Sequence, residues 1–204
     1  MHLTVTGREI WSCARRVTLP VLPLLLALCL LSGCRVFKGD NRVAFLGDSI
    51  TQGWGYPAAN FGIFGNTTQQ MLERDAAVLA GHGYAKIIIL GGTNDVLLGI
   101  EPEITVNNLE KIALAVQGSG AEPVLCEIPP IFHSLKVDDA KDYSNDVRRL
   151  NEQIARLAAE HRWRLVDYYH PLRYHPHVSS DGVHMKRRGY LLMEIALLRA
   201  VPDA

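Results

Sequence analysis

The chain has 204 residues and equal numbers of basic and acidic side chains, 21 of each. A neutral balance supplies no basic field to gather phosphates, which removes nucleic acid from the expected partners. Cys13, Cys29 and Cys34 all fall in the N-terminal segment, so Cys126 stands alone in the remainder, and an intrachain disulfide there is excluded.

Taken in order, the chain begins with a segment that does not read as part of a fold. Arg15 and Arg16 precede an apolar run from Val17 to Leu31, broken only by Thr18, Pro20 and Pro23, and followed by Ser32, Gly33 and Cys34. A basic region, a short apolar stretch and small residues before a cut describe a secretory signal. The run is too short and too proline-rich for a membrane-spanning helix. Its end, Leu31-Ser-Gly-Cys34, resembles the lipobox of bacterial lipoproteins, whose cysteine is lipidated and becomes the first residue of the mature protein. That resemblance implies a signal peptide over residues 1–33, a lipidated tether over 34–41 and a domain over 42–204. It implies a lipoprotein of the bacterial cell envelope, anchored to the membrane through lipid on Cys34. Arg35 after the cysteine points to the outer membrane if the host is Gram-negative.

The domain is long enough to bury a sizeable core. Arg42 to Leu46 is expected as the first strand, with four apolar residues running into Gly47-Asp-Ser49. Ser49 there is either a nucleophile at a strand end or part of a helix N-cap with Asp48. A weaker strand follows around Ala58–Ile63, then a helix from Thr67 or Thr68 to Ala80. Lys86-Ile-Ile-Ile-Leu90 is β-branched and unalternating, as suits a strand covered on both faces. Next come a helix over about 103–116, a strand over 123–128, and an amphipathic helix over 142–161 with Val147, Leu150, Ile154, Leu157 and Ala158 inward. A short strand over 164–167, a loop rich in Tyr, His and Pro, and a helix over 186–200 complete the chain. Strands alternating with helices mean βαβ units. The expected fold is α/β, with a five-stranded parallel sheet in flavodoxin-like order between helical layers. Cys126, inside an apolar strand run, reads as a small buried hydrophobe.

A parallel sheet collects its C-terminal strand ends on one edge. Gly47-Asp-Ser49, Gly62-Ile-Phe-Gly65 and Gly91-Gly-Thr-Asn94 are all expected there, and Ser180-Asp-Gly-Val-His184 precedes the last helix. Asp181 and His184 are close enough on one loop for the carboxylate to orient an imidazole facing Ser49. A serine hydroxyl is a weak nucleophile and needs such a base. Backbone N–H groups of Ser49 and Gly65 and the Asn94 amide can supply an oxyanion hole. Asp48 and Asp95 read as loop acceptors rather than acids. Trp54, Tyr56, Tyr168 and Tyr174 either line a cleft or cover the core.

These pieces resemble the SGNH (GDSL-like) hydrolases. Gly47-Asp-Ser-Ile50 is similar to that family's first block, Asn60-Phe-Gly-Ile-Phe-Gly-Asn-Thr67 to its second, Gly91-Gly-Thr-Asn-Asp95 to its third and Asp181-Gly-Val-His184 to its fifth. Two positions depart: Ile50 stands where the motif name has leucine, and Met185 where proline is common. The resemblance implies a three-layer α/β/α sandwich and a serine esterase with Ser49, Asp181 and His184 catalytic, and Ser49, Gly65 and Asn94 in the oxyanion hole. It implies no cofactor and no metal. The expected substrates are carboxylic esters: acylated sugars, lysophospholipids or small esters. The alternative is an envelope binding or structural lipoprotein that keeps the fold without turnover. Other readings fail on spacing. Thr51 breaks a Gly-x-Ser-x-Gly elbow, and no Gly-Lys-Ser/Thr follows Gly47 at phosphate-loop spacing. His170, His175, His177 and His184 lack acidic partners at zinc-motif spacing, apart from Asp181.

Overall fold

The computed structural model describes residues 42–79, 83–133 and 141–204. The signal segment, the tether and Cys34 lie outside the described residues, as do Ala80 and part of the loop before residue 141. Among the described residues no helix is long and apolar enough to cross a membrane.

Five strands form the sheet: β1 (Val43–Gly47), β2 (Ala59–Gly62), β3 (Lys86–Leu90), β4 (Glu122–Cys126) and β5 (Arg164–Val166). All pairings are parallel and the order is β2-β1-β3-β4-β5, the flavodoxin-like arrangement. The central strands carry the burial. Ile87, Ile88, Ile89 and Leu90 are all at most 2% exposed. Complete burial of one such side chain contributes about 1.5–3 kcal/mol, so β3 is a principal source of the sheet's stability.

Among the described residues six α-helices accompany the strands: α1 (Ser49–Gln52), α2 (Thr68–Leu79), α3 (Thr93–Leu98), α4 (Pro102–Gly118), α5 (Ser144–His161) and α6 (Arg187–Ala200). Helix α4 packs against both α2 and α5. Helix α6 meets α1, where Tyr190 Oη donates to the carbonyl of Ile50 at 2.9 Å. Right-handed crossovers put these two groups on opposite faces and make the molecule three-layered. Val147, Leu150, Ile154, Leu157 and Ala158 of α5 are buried. Cys126 is buried in β4, and burial pushes its thiol far above the ordinary range, so it is inert.

Two short helices, α1 and α3, stand where loops are expected from sequence, directly after β1 and β3. Both begin at a turn that needs glycine. A Cβ on Gly47 would lie 2.6 Å from the Leu90 carbonyl oxygen and 2.0 Å from Thr51 Oγ1. The backbone of β1 can therefore turn against β3 only if residue 47 has no side chain.

Candidate active site

Ser49 opens α1 at the C-terminal end of β1. The cap of that helix is Asp48, whose Oδ1 accepts from the Ile50 N–H at 2.9 Å. Ser49 is thereby released from capping, and its Oγ instead lies 3.0 Å from His184 Nε2. The other ring nitrogen, Nδ1, is 2.8 Å from Asp181 Oδ2. Asp181 Oδ1 accepts from the backbone N–H of His184 at 2.8 Å and of Val183 at 3.1 Å. Burial pushes this carboxyl up, but donation from the His184 backbone and ring and from Val183 outweighs it and holds Asp181 at about 2. Asp181 is thus ionised at any ordinary pH. An antiparallel bridge between Ser179 and Met185 closes the loop that presents the pair. Both Ser179 Oγ and Ser180 Oγ donate to the His184 carbonyl, at 3.0 and 3.2 Å.

The segment between β2 and α2 reaches this pair through Phe64, whose ring centroid lies 5.9 Å from that of His184. Its Ile63 N–H donates to the Gly47 carbonyl at 3.1 Å, which ties it to the turn before Ser49. Gly65 has φ of 75°, in the left-handed region where a Cβ is strained. The Asn94 amide nitrogen donates to the Asn66 carbonyl at 2.9 Å. That amide carries a second hydrogen, so the bond orients Asn94 without exhausting it.

No sequence signal marks Arg74, which holds these loops together. Arg74, half-buried on α2, donates to the Gly47 carbonyl at 2.7 Å, the Phe61 carbonyl at 2.9 Å and Asn66 Oδ1 at 2.7 Å. One guanidinium therefore clamps the turn before Ser49, the end of β2 and the 63–66 loop. Asn60 donates to the carbonyls of Thr51 and Trp54, at 2.7 and 3.1 Å, pinning the far end of α1. Asp95 is buried and accepts from the Thr68 N–H at 3.0 Å, from Thr68 Oγ1, and from Thr105 Oγ1 at 3.1 Å, which joins α2, α3 and α4. It is a structural acceptor.

The four aromatics left open by sequence divide. Trp54 and Tyr168 are core side chains, while Tyr174 is exposed beneath Arg173. Tyr56 is half-buried beside a groove of about 850 Å³ formed with Trp54, Met185, Arg187 and Tyr190. Neither Ser49 nor His184 lines that groove. Among the described residues, Glu127, Asp167 and His170 bring metal-ligating atoms within 4.8 Å of one another, at the ends of β4 and β5. Burial and the neighbouring Asp167 push Glu127 up to about 8. His175 and His177 are not part of that group.

Asp48 has a consequence for stability. It is fully buried, and its Oδ2 has no hydrogen-bond partner. Burial pushes its carboxyl up to about 6 against the N–H groups of Ile50 and Thr51 and the attraction of His184. The folded state therefore favours the protonated form. Its contribution is complete below the ordinary carboxylate range and is lost as pH rises through about 6. Asp48→Asn keeps an oxygen for Ile50 and cannot ionise. Between about pH 4 and 6, urea unfolding should show wild-type stability falling relative to Asp48→Asn by up to about 3 kcal/mol. Parallel pH curves for the two proteins would rule this out.

Comparison with known proteins adds four findings. The sequence pattern of the GDSL-like lipase/acylhydrolase family matches residues 45–192. An arylesterase of Vibrio mimicus is 26% identical over 180 residues, covering 74% of this chain and 88% of the relative. The thioesterase 1/protease 1/lysophospholipase L1 of Escherichia coli strain K12 is 31% identical over 106 residues, which cover 43% of this chain and about half (51%) of that enzyme. Among solved structures, a GDSL-like lipase from Bacteroides thetaiotaomicron superposes with a TM-score of 0.73 at 25% identity, over 88% of this chain and 97% of that one.

Proposed function

The chain belongs to the GDSL-like lipase/acylhydrolase family, and from that premise we propose that it is a serine esterase working through an acyl-enzyme on Ser49. As a member it is a hydrolase of ester bonds. The observation that carries the finer reading is the chain of contacts from Ser49 Oγ through His184 to Asp181, at 3.0 and 2.8 Å. In this mechanism His184 Nε2 takes the serine proton as Oγ attacks the ester carbonyl. The ionised Asp181 holds the proton on Nδ1 and stabilises the imidazolium. Collapse of the tetrahedral intermediate breaks the carbon–oxygen bond, and His184 returns the proton to the departing oxygen. Water then repeats the sequence and frees the acid. Covalent labelling by a fluorophosphonate, with the adduct mapped to Ser49, tests the reading. An unlabelled Ser49 in folded protein would favour the binding lipoprotein instead.

The oxyanion in this scheme is held by the N–H groups of Ser49 and Gly65 and by the Asn94 amide. Asn94→Ala should lower kcat about a hundred- to a thousandfold, as for one lost oxyanion donor. A change in KM alone would make Asn94 a ground-state contact. The arylesterase relative and the breadth of the family support small esters, acylated sugars and lysophospholipids as candidate substrates.

The envelope location rests on Leu31-Ser-Gly-Cys34. Several acyl chains on one cysteine, each methylene contributing about 0.8 kcal/mol, suffice for stable anchoring. Cys34→Ala should move the protein from the membrane to the soluble fraction without loss of activity on small esters. Equal membrane association of both forms would mean that the apolar run of residues 17–31 is the anchor.

A further inference from the structure

Phe64 is an exposed aromatic side chain placed beside the candidate site. It is 71% exposed, second only to Tyr174 among the large hydrophobic side chains of the described residues, and it sits immediately before Gly65. Its ring lies nearly parallel to the His184 imidazole, at 10° with centroids 5.9 Å apart. That separation is too long for a face-to-face stack, so the rings overlap near their edges and much of the phenyl face remains open. Chain tethers hold the ring there: Ile63 N–H on the Gly47 carbonyl at 3.1 Å, Asn66 N–H on the Ile63 carbonyl at 3.2 Å, and Arg74 on Asn66 Oδ1 at 2.7 Å. What sets this ring apart from other exposed apolar side chains is its fixed position beside the His184 imidazole.

In acyl transfer the departing oxygen takes its proton from His184 Nε2, so it lies within hydrogen-bond reach of that atom. The group attached to it leaves past the imidazole, and the neighbour of the imidazole is Phe64. We propose that Phe64 is a stacking platform for the leaving group, and that it selects esters whose alcohol carries a ring with an apolar face: an aryl ring or the face of a pyranose. The proposal rests on the serine-esterase reading above and names the alcohol side of its substrate. Phe64 is a specificity residue and transfers no proton.

The test holds the acyl group constant. Phenyl acetate, a mono-O-acetylated methyl glucopyranoside and ethyl acetate are compared on wild type, Phe64→Ala and Phe64→Tyr. Phe64→Ala should lower kcat/KM on one or both ring-bearing esters by about three- to tenfold while ethyl acetate stays within about twofold. Loss on the phenyl ester alone identifies an aryl alcohol, and loss on the sugar ester alone identifies a pyranose. Phe64→Tyr, which keeps the ring, should stay near wild type, and the pH profile of kcat/KM should not move. An equal fall on all three esters with a displaced pH profile would make Phe64 a positioning residue for His184 and overturn the platform. So would unchanged ratios. If the wild type turned over no ester and Ser49 resisted fluorophosphonate, the esterase reading itself would fall and take the platform with it.

Discussion

Ser49→Ala is expected to abolish turnover while leaving the fold in place. Loss of the nucleophile of a triad typically lowers kcat on the order of a millionfold. The fold should survive for three local reasons. Asp48, not Ser49, caps α1. The change removes only an oxygen from a side chain that makes no backbone bond through Oγ. The imidazole left behind is 34% exposed, so water can replace the lost partner at Nε2. Stability should therefore change by no more than about 1 kcal/mol. The measurement is kcat on an aryl ester beside a thermal melt. Activity within a hundredfold of wild type, in a preparation free of wild-type protein, would show that Ser49 is not the nucleophile.

Asp181→Asn is the second large effect and separates orientation from charge. The asparagine can keep its oxygen in the Oδ1 position, still accepting from the backbone N–H groups of Val183 and His184. Its nitrogen then replaces Oδ2, 2.8 Å from His184 Nδ1. That nitrogen can only donate, so Nδ1 must accept and the ring proton moves to Nε2. Nε2 then cannot take the serine proton. A fall in kcat of about ten thousandfold is expected, as where a triad carboxylate is replaced by its amide. Since Asp181 titrates at about 2, the wild-type acid limb of kcat/KM should not reflect this carboxyl. The carboxyl's own contribution to stability is present above the ordinary carboxylate range and is lost only as pH falls toward about 2. An Asp181→Asn enzyme with near-normal kcat would remove Asp181 from the mechanism.

Several features of the molecule are legible without coordinates. Strand and helix periodicity predicts the element order, the parallel sheet and its flavodoxin-like order. The expected strand over 86–90 has the bounds observed for β3. Boundaries elsewhere move by a residue or two: β1 extends through Gly47, β4 runs from Glu122 to Cys126, and α5 starts at Ser144. Helices α1 and α3 escape periodicity because four and six residues are too few to show it. The N-terminal readings, Cys34 included, fall outside the described residues.

What the sequence determines by itself is local: which stretches are strands or helices, and which reactive residues fall near strand ends. Those properties follow from backbone geometry and from apolar spacing over a few residues. Only the tertiary structure decides partnership. Ser49 and His184 are 135 positions apart, and their pairing is expected from sequence only through the family resemblance, not from the local chemistry of either segment. The choice of Asp48 over Ser49 as the cap, the Arg74 clamp across Gly47, Phe61 and Asn66, and the placement of Phe64 beside His184 are of the same kind. The physical reason is that a long polar or aromatic side chain has many local options of nearly equal free energy. The crossovers and core packing that bring distant segments together settle which one is occupied.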